Sequence, residues 1–394
     1  MRPLRITRHS IACAAGIGRE ALAVAVESGT GGLRANDFGA APLPTWIGRV
    51  DGVEQVSLPE SLAPWDCRNN RLAWLALCAD DFLAHALAAR DRYGADRVAL
   101  VLGTSTSSIG ATEEAYAQLT EQREFPAHLR QPVLHSPHSL PDFVRTALGL
   151  TGIATTVATA CSSSAKAFAQ AERYVRLGLA DAAIVGGVDS LCGSVLYGFN
   201  SLELLSREPC RPFDATRAGI SLGEAGGFAL LERDGATGPW LLGHGESSDA
   251  HHMSSPHPEG RGAEAAMRGA LRSAGVEADL VDYVNLHGTA SQKNDEVEAG
   301  AVARLFPAST HASSTKGWTG HALGAAGIVE SAMCLLALER GYMPGTLNLR
   351  EPDPVCGPQI RIDAQRREVR YALNNSFGFG GSNCSLLFGQ QRHG

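Results

Sequence analysis

Short β-branched runs alternate along this chain with Ala-rich stretches of helical length, and one such unit recurs in each half. TTVATACSSSAKAFAQAERYVRLG sets a strand before a tight polar turn and an Ala-rich helix ending at Gly178. HASSTKGWTGHALGAAGIVESAMCLLALERG repeats the pattern and ends at Gly341. Strands separated by helices pair through crossovers, which gives an α/β architecture with a largely buried sheet. Val98–Gly103, Ala182–Val188, Phe228–Glu232, Tyr283–Leu286 and Cys384–Phe388 are the expected buried strands. Leu72–Ala89, Ser162–Leu177 and Ala322–Arg340 are the expected helices. The repeated unit points to two similar halves, residues 1–237 and 238–394, with the seam in the Gly/Pro-rich turn Asp234–Pro239.

A chain of 394 residues buries a large core without disulfide or metal staples. Its formal charge of −7 and lack of basic tracts argue against nucleic-acid binding. No uninterrupted apolar run approaches the ~18 residues of a membrane-spanning helix. The opening residues read as strand and turn, so no signal peptide is expected. The nine cysteines are scattered, odd in number and free of C-x-x-C pairs. That pattern fits free thiols in a reducing cytoplasm, most of them small buried hydrophobes.

One cysteine stands apart. Cys161, in ATACSSSAK, follows a β-rich run and precedes a helix pattern. A sulfur at a helix N-terminus can have a lowered pKa, and the thiolate is the nucleophile. The same turn can offer backbone N–H groups to an oxyanion. His287, in LHGTAS, ends the YVNL strand, where catalytic groups of α/β folds often sit. Asp295 and Glu298 follow on one helix face, either as caps and solvated acids or as groups that orient a base or a lysine. Lys316 and His321 share the Gly-rich loop SSTKGWTGHALG. There Lys316 can be desolvated or paired with a carboxylate, and a neutral His321 can donate to an oxygen carrying developing charge. NNSFGFGGSN is too dense in Gly for an ordinary strand; it reads as a turn or as backbone donors facing a reactive carbon. His244, His251, His252 and His257 lack the spacing of zinc enzymes, so no metal site is expected there. His135 and His138 read as loop residues, and GTSTSSIG lacks the lysine of a phosphate cradle.

Taken in order, these stretches resemble the elongating β-ketoacyl–acyl-carrier-protein synthases of the thiolase superfamily. TACSSSA is similar to the nucleophile turn, LHGTAS and TKGWTGHALGAAG to the two histidine motifs, and NNSFGFGGSN to the C-terminal glycine loop. RPFDATRAGISLGEAGGFALLE and SSDAHHMSSPHPEG also match, so the resemblance covers nearly the whole chain. It implies a thiolase-like fold whose halves, each a mixed five-stranded sheet with helices, stack as an αβαβα sandwich. Cys161 would hold the acyl chain as a thioester. His287 and His321 would support decarboxylation of malonyl–carrier protein. Lys316 would pair with Glu298, and the N–H groups of Cys161 and Phe379 would form the oxyanion hole. Thr289 and Ser291 would bind the phosphopantetheine arm. Phe379 would gate the site, and Phe199 and Phe377 would line the substrate pocket.

No metal or organic cofactor is implied, since the phosphopantetheine belongs to the acyl carrier protein. The expected partners are that carrier protein and a second, similar chain, as a homodimer or as a heterodimer with a chain-length factor. Arg68, Arg71, Arg123, Arg130 and Arg211 are candidates for a basic carrier-protein patch. Ser291 stands where the family usually has Thr, and Gln292–Asp295 replaces Pro-x-Gly-Asp. LHGTASQKND, STKGWTGHALGAAG and GVDSLCGSVLYGFNSLELLS are most similar to ketosynthases of aryl polyene pathways. A thiolase would carry a second reactive Cys in a C-x-G loop where this chain has Phe379. An initiating ketosynthase would pair one His with an Asn. A chain-length factor would lack the nucleophile.

Overall fold

The computed structural model describes residues 2–233 and 238–390. Ten strands carry the architecture: β1 (Leu4–Cys13), β2 (Val98–Gly103), β3 (Ala154–Val157), β4 (Ala182–Asp189), β5 (Ala225–Glu232), β6 (Trp240–Ser248), β7 (Tyr283–Asn285), β8 (His311–Ser313), β9 (Tyr371–Gly378) and β10 (Ser382–Gly389). Along the sheet they run β8-β7-β9-β10-β6-β1-β5-β4-β2-β3. Each half therefore has the same order: its third strand at one edge, then its second, fourth, fifth and first. In each half the second strand pairs parallel with the third and fourth, and the remaining pairs are antiparallel. The two five-stranded sheets are also joined, through Leu4↔Leu241 and Arg5↔Trp240. Of the expected seam, residues 234–237 lie outside the described residues.

Helices make the other three layers. On the outer face of the first sheet, α1 (Arg68–Cys78), α2 (Phe82–Tyr93) and α3 (Ser139–Leu148) bury Leu72, Ala76, Phe82 and Phe143 against Leu100, Ile184 and Phe228. Between the sheets lie α4 (Ser163–Arg176) and, near the C-terminus, a helix over Ala326–Arg340. Phe168, Ile328 and Ala332 of this layer meet Val185 and Ala229 on one side and Leu386 and Phe388 on the other. Beyond the second sheet, α5 (Arg261–Ala274) and α6 (Gln292–Leu305) pack Ala266, Met267 and Val302 on Val284, Leu373 and Leu387. The central helix Ala326–Arg340, hereafter α7, is buried at every residue from Ala326 to Leu338. A helix with apolar sequence all round needs such a setting on both faces.

The expected helix Leu72–Ala89 is two helices. Asp80 and Asp81 adopt φ of 56° and 57° between α1 and α2. The turn is held because the Asp80 carboxylate accepts the backbone N–H of Arg19 at 2.9 and 3.1 Å. By length and composition alone, residues 68–93 would also pass as a bilayer-crossing stretch, although Asp80 and Asp81 interrupt their apolar run. Here α1 packs its apolar face on the sheet.

Close approach fixes the central layer. A Cβ on Gly103 would stand 2.2 Å from the Ser164 backbone nitrogen, and one on Gly327 would stand 2.5 Å from that of Ala165. Glycine at these points lets β2 and α7 press against the first turn of α4, where the nucleophile turn ends.

Candidate active site

The turn between β3 and α4 presents Cys161. Ala160 takes a left-handed φ of 51°, uncommon for a residue with a Cβ. Ser163 Oγ ties the turn down, accepting the Thr159 N–H at 2.9 Å and donating to the Ala160 carbonyl at 2.5 Å. The Sγ of Cys161 lies 3.0 Å from His321 Nε2, and the backbone N–H of Phe379 donates to it. Burial pushes the Cys161 thiol up to about 11, outweighing the opposing field of Lys316. Burial thus opposes the lowering of this thiol's pKa that a helix N-terminus favours.

His287 follows β7. Its own N–H and that of Gly288 donate to the two Glu298 carboxylate oxygens, each at 2.8 Å. Asn375 Nδ2 donates to the same carboxylate at 3.1 Å. Burial raises the Glu298 pKa to about 7. The rings of His287 and His321 meet edge to face, with centroids 5.3 Å apart. Burial, followed by the Lys316 charge, drives both histidine pKa values well below the ordinary value. Desolvation and the lysine charge therefore both favour the uncharged rings, each with one N–H to donate.

Lys316 corrects one expectation. Its Nζ pairs with Glu330 and donates to the His287 carbonyl; it does not pair with Glu298. Glu298 is saturated by backbone and amide donors beneath the His287 loop, whereas Glu330 rises from α7 directly to Lys316. Both members of the ion pair are buried. Glu330 was legible in part, as the one charge between Ala322 and Leu338, though its partner was not. Asp189, at the end of β4, was also missed. It accepts from Thr104, Ser105 and Thr106 and from the Gly324 N–H, tying the loop after β2 to the His321 loop.

A cavity of about 530 Å³ collects Cys161, His287, His321, Thr289, Ser291, Phe199, Phe377 and Phe379. Lys316 and Glu298 sit behind its wall. The Thr289 and Ser291 hydroxyls are 3.0 Å apart. Phe199 stacks on Phe379 with centroids 5.6 Å apart and planes 15° from parallel, and Phe377 lies 5.9 Å from the His287 ring. Asp295, the last residue of the altered Gln292–Asp295 stretch, accepts the Phe213 N–H at 2.8 Å and faces Arg217. His244 meets Glu172, and the rings of His251 and His257 meet in their loop.

The five arginine candidates do not form the cavity rim; its cations are Arg217 and Lys293. Arg68 pairs with Glu54 and Glu224, Arg71 with Asp66, Arg130 with Glu124 and Arg211 with Glu208. Local carboxylates thus neutralise four of the five.

Known proteins resemble this chain in sequence and in fold. Residues 69–236 match the β-ketoacyl synthase N-terminal domain, and residues 240–350 match the β-ketoacyl synthase C-terminal domain. Nodulation protein E of Rhizobium leguminosarum bv. trifolii is 35% identical over 360 residues, 86% of this chain and 88% of that protein. A 3-oxoacyl-[acyl-carrier-protein] synthase 2 from a Synechocystis species is 32% identical over 351 residues, 82% of each chain. Among solved structures, the ketosynthase ApeO in complex with its chain length factor ApeC, from Xenorhabdus doucetiae, superposes with a TM-score of 0.89. That match is 35% identical and covers 99% of this chain and 98% of the other. With the nucleophile turn, both histidine loops and the glycine loop around one cavity, the chain belongs to the β-ketoacyl synthase family of the thiolase superfamily.

Proposed function

We propose that this enzyme condenses an acyl group, held as a thioester on Cys161, with malonyl–acyl carrier protein to give 3-oxoacyl–carrier protein and CO2. The observation that carries the reading is the Cys161 Sγ at 3.0 Å from His321 Nε2, on the same cavity as His287 and the Phe379 N–H. His321 takes the thiol proton as sulfur attacks the incoming thioester. The N–H groups of Phe379 and Cys161 hold the resulting oxyanion. The imidazolium then returns its proton to the departing phosphopantetheine thiol. When malonyl–carrier protein enters, loss of CO2 leaves an enolate. His287 and His321 hydrogen-bond its oxygen. The carbanion attacks the Cys161 thioester, the same N–H groups hold the second oxyanion, and the sulfur is released. Because His321 lies on the nucleophile, it serves both steps, not decarboxylation alone.

Thr289 and Ser291 hold the phosphopantetheine arm, and Phe199 and Phe377 line the chain's path. Lys316, neutralised by Glu330, sets the field on both histidines. The carbon nucleophile comes from malonate, so the reaction calls for no resident cofactor. The free cysteines suit a reducing, cytoplasmic setting. The partner is a second, similar chain, either a copy or a chain-length factor. The likeness to a ketosynthase solved with its chain length factor supports this. So does the sheet edge β3, half-buried along its length beside the nucleophile turn. The motif resemblance noted above supports aryl polyene elongation as the pathway.

Intact mass tests the reading. The enzyme is incubated with acyl–carrier proteins of several chain types, and malonyl–carrier protein is then added. An acyl adduct on Cys161 that disappears as 3-oxoacyl–carrier protein forms is the expected result, and the preferred chain identifies the pathway. A folded enzyme, with its partner supplied, that forms no adduct with any chain would overturn it.

A further inference from the structure

Among the described residues, one group of cysteine, histidine and acidic side chains has donor atoms close enough to share a metal ion: Cys161, His287 and His321. Their three donor atoms all lie within 4.8 Å of one another, and Sγ to His321 Nε2 is 3.0 Å. With zinc bonds of about 2.3 Å to sulfur and about 2.0 Å to nitrogen, tetrahedral ligands stand roughly 3.3–3.6 Å apart. Small side-chain rotations therefore suffice to close the three donors on one ion. Thiolate and imidazole favour zinc and other thiophilic cations over hard ones. Three protein ligands with a fourth position open to the cavity match an accessible zinc site, not a closed structural one.

Two features decide what kind of occupancy this is. The nearest opposing charge, Lys316, is already paired with Glu330. Against that, the Nδ1 atoms of His287 and His321 are buried without a partner. Resident zinc sites fix each ligating ring through a hydrogen bond from its other nitrogen. These rings lack that support, which fits a reversible ligand and not a permanent cofactor.

We propose that Cys161, His287 and His321 bind a thiophilic divalent cation, with zinc as the type case, and that the bound ion shuts the site reversibly. The sulfur–metal bond forms as the Sγ proton leaves to solvent. Two imidazole lone pairs and a water complete the coordination, and no electron is transferred. One sulfur cannot carry both the ion and an acyl group, so metal binding and acylation exclude each other.

Cobalt(II), added to the chelator-stripped full-length enzyme, reads this without turnover. A thiolate-to-cobalt charge-transfer band should appear at one equivalent and vanish with excess zinc or chelator. The band should be absent in Cys161→Ser and in enzyme alkylated or acylated at Cys161. His287→Gln and His321→Gln should each weaken cobalt binding by at least ~10-fold. Circular dichroism would verify that each variant is folded. No band in the folded parent would overturn the proposal. So would a full band in Cys161→Ser, which keeps the other cysteines, or unweakened binding in both histidine variants.

Discussion

In the first half, β3 passes to α4 through residues 158–162; in the second, β8 passes to α7 through residues 314–325. The strands and helices are equivalent by position in the sheet order, yet the connections carry different chemistry. The short turn holds one reactive atom in a strained backbone. The long one holds a buried lysine and a histidine, fed by a carboxylate from the helix it precedes. A second pair of connections differs the other way. The path from β4 to β5 runs over residues 190–224 and supplies Phe199, whereas β9 and β10 meet through Phe379–Gly381 alone. Phe199 of the long path stacks on Phe379 of the short one. One topology, used twice, brings the nucleophile from one half and the proton donors from the other to a single cavity. Loop length, not the sheet, assigns the roles.

The sharpest way to break this comparison is to ask whether the short turn activates sulfur by itself. Burial raises the Cys161 thiol to about 11, and a raised thiol pKa leaves little thiolate at neutral pH. The iodoacetamide alkylation rate of Cys161 should climb about tenfold per pH unit from neutral upward, without a plateau near neutrality. A neutral-pH plateau would mean that the short turn, or a preformed thiolate–imidazolium pair, already ionises the sulfur.

The long connection should depend on its borrowed carboxylate. Glu330→Ala leaves the Lys316 charge buried and unpaired, and should cost about 3–5 kcal/mol in a denaturant titration. The double change Lys316→Met with Glu330→Leu should recover most of that stability. Equal losses in the single and double variants would refute the account of the pair.

The two turns should also differ in tolerance. Gly320 precedes His321 at φ of 70°, and a Cβ there would meet Gly223 and Leu222 backbone at 3.0 Å. Gly320→Ala should cost about 1–3 kcal/mol. Ala160→Gly relieves a left-handed residue at the price of unfolded-state entropy, and should change stability by less than about 1 kcal/mol. Denaturant midpoints compare the two, and the reverse order would remove the contrast.

The sequence made the strands visible because buried strands read as uninterrupted apolar runs, and it made the site visible because its loops are local motifs. Cys161, His287, Lys316 and His321 each sit in a short stretch whose chemistry can be read in place. The partner of Lys316 could not be read that way. Glu298 and Glu330 are both acids on helices, and only the stacking of the two sheets puts α7 behind the lysine and α6 behind the His287 backbone. The break at Asp80–Asp81 was hidden for the same reason, since it depends on Arg19 of a distant helix. The arginines were legible as charges but not as ion pairs.

The division of labour between the halves is tested most directly by His287→Ala, followed by intact mass after acyl–carrier protein and then malonyl–carrier protein. The account predicts that Cys161 still takes up the acyl group and that the adduct then persists, with CO2 release and product formation lost. No adduct at all, or an adduct consumed at the parent rate, would contradict it.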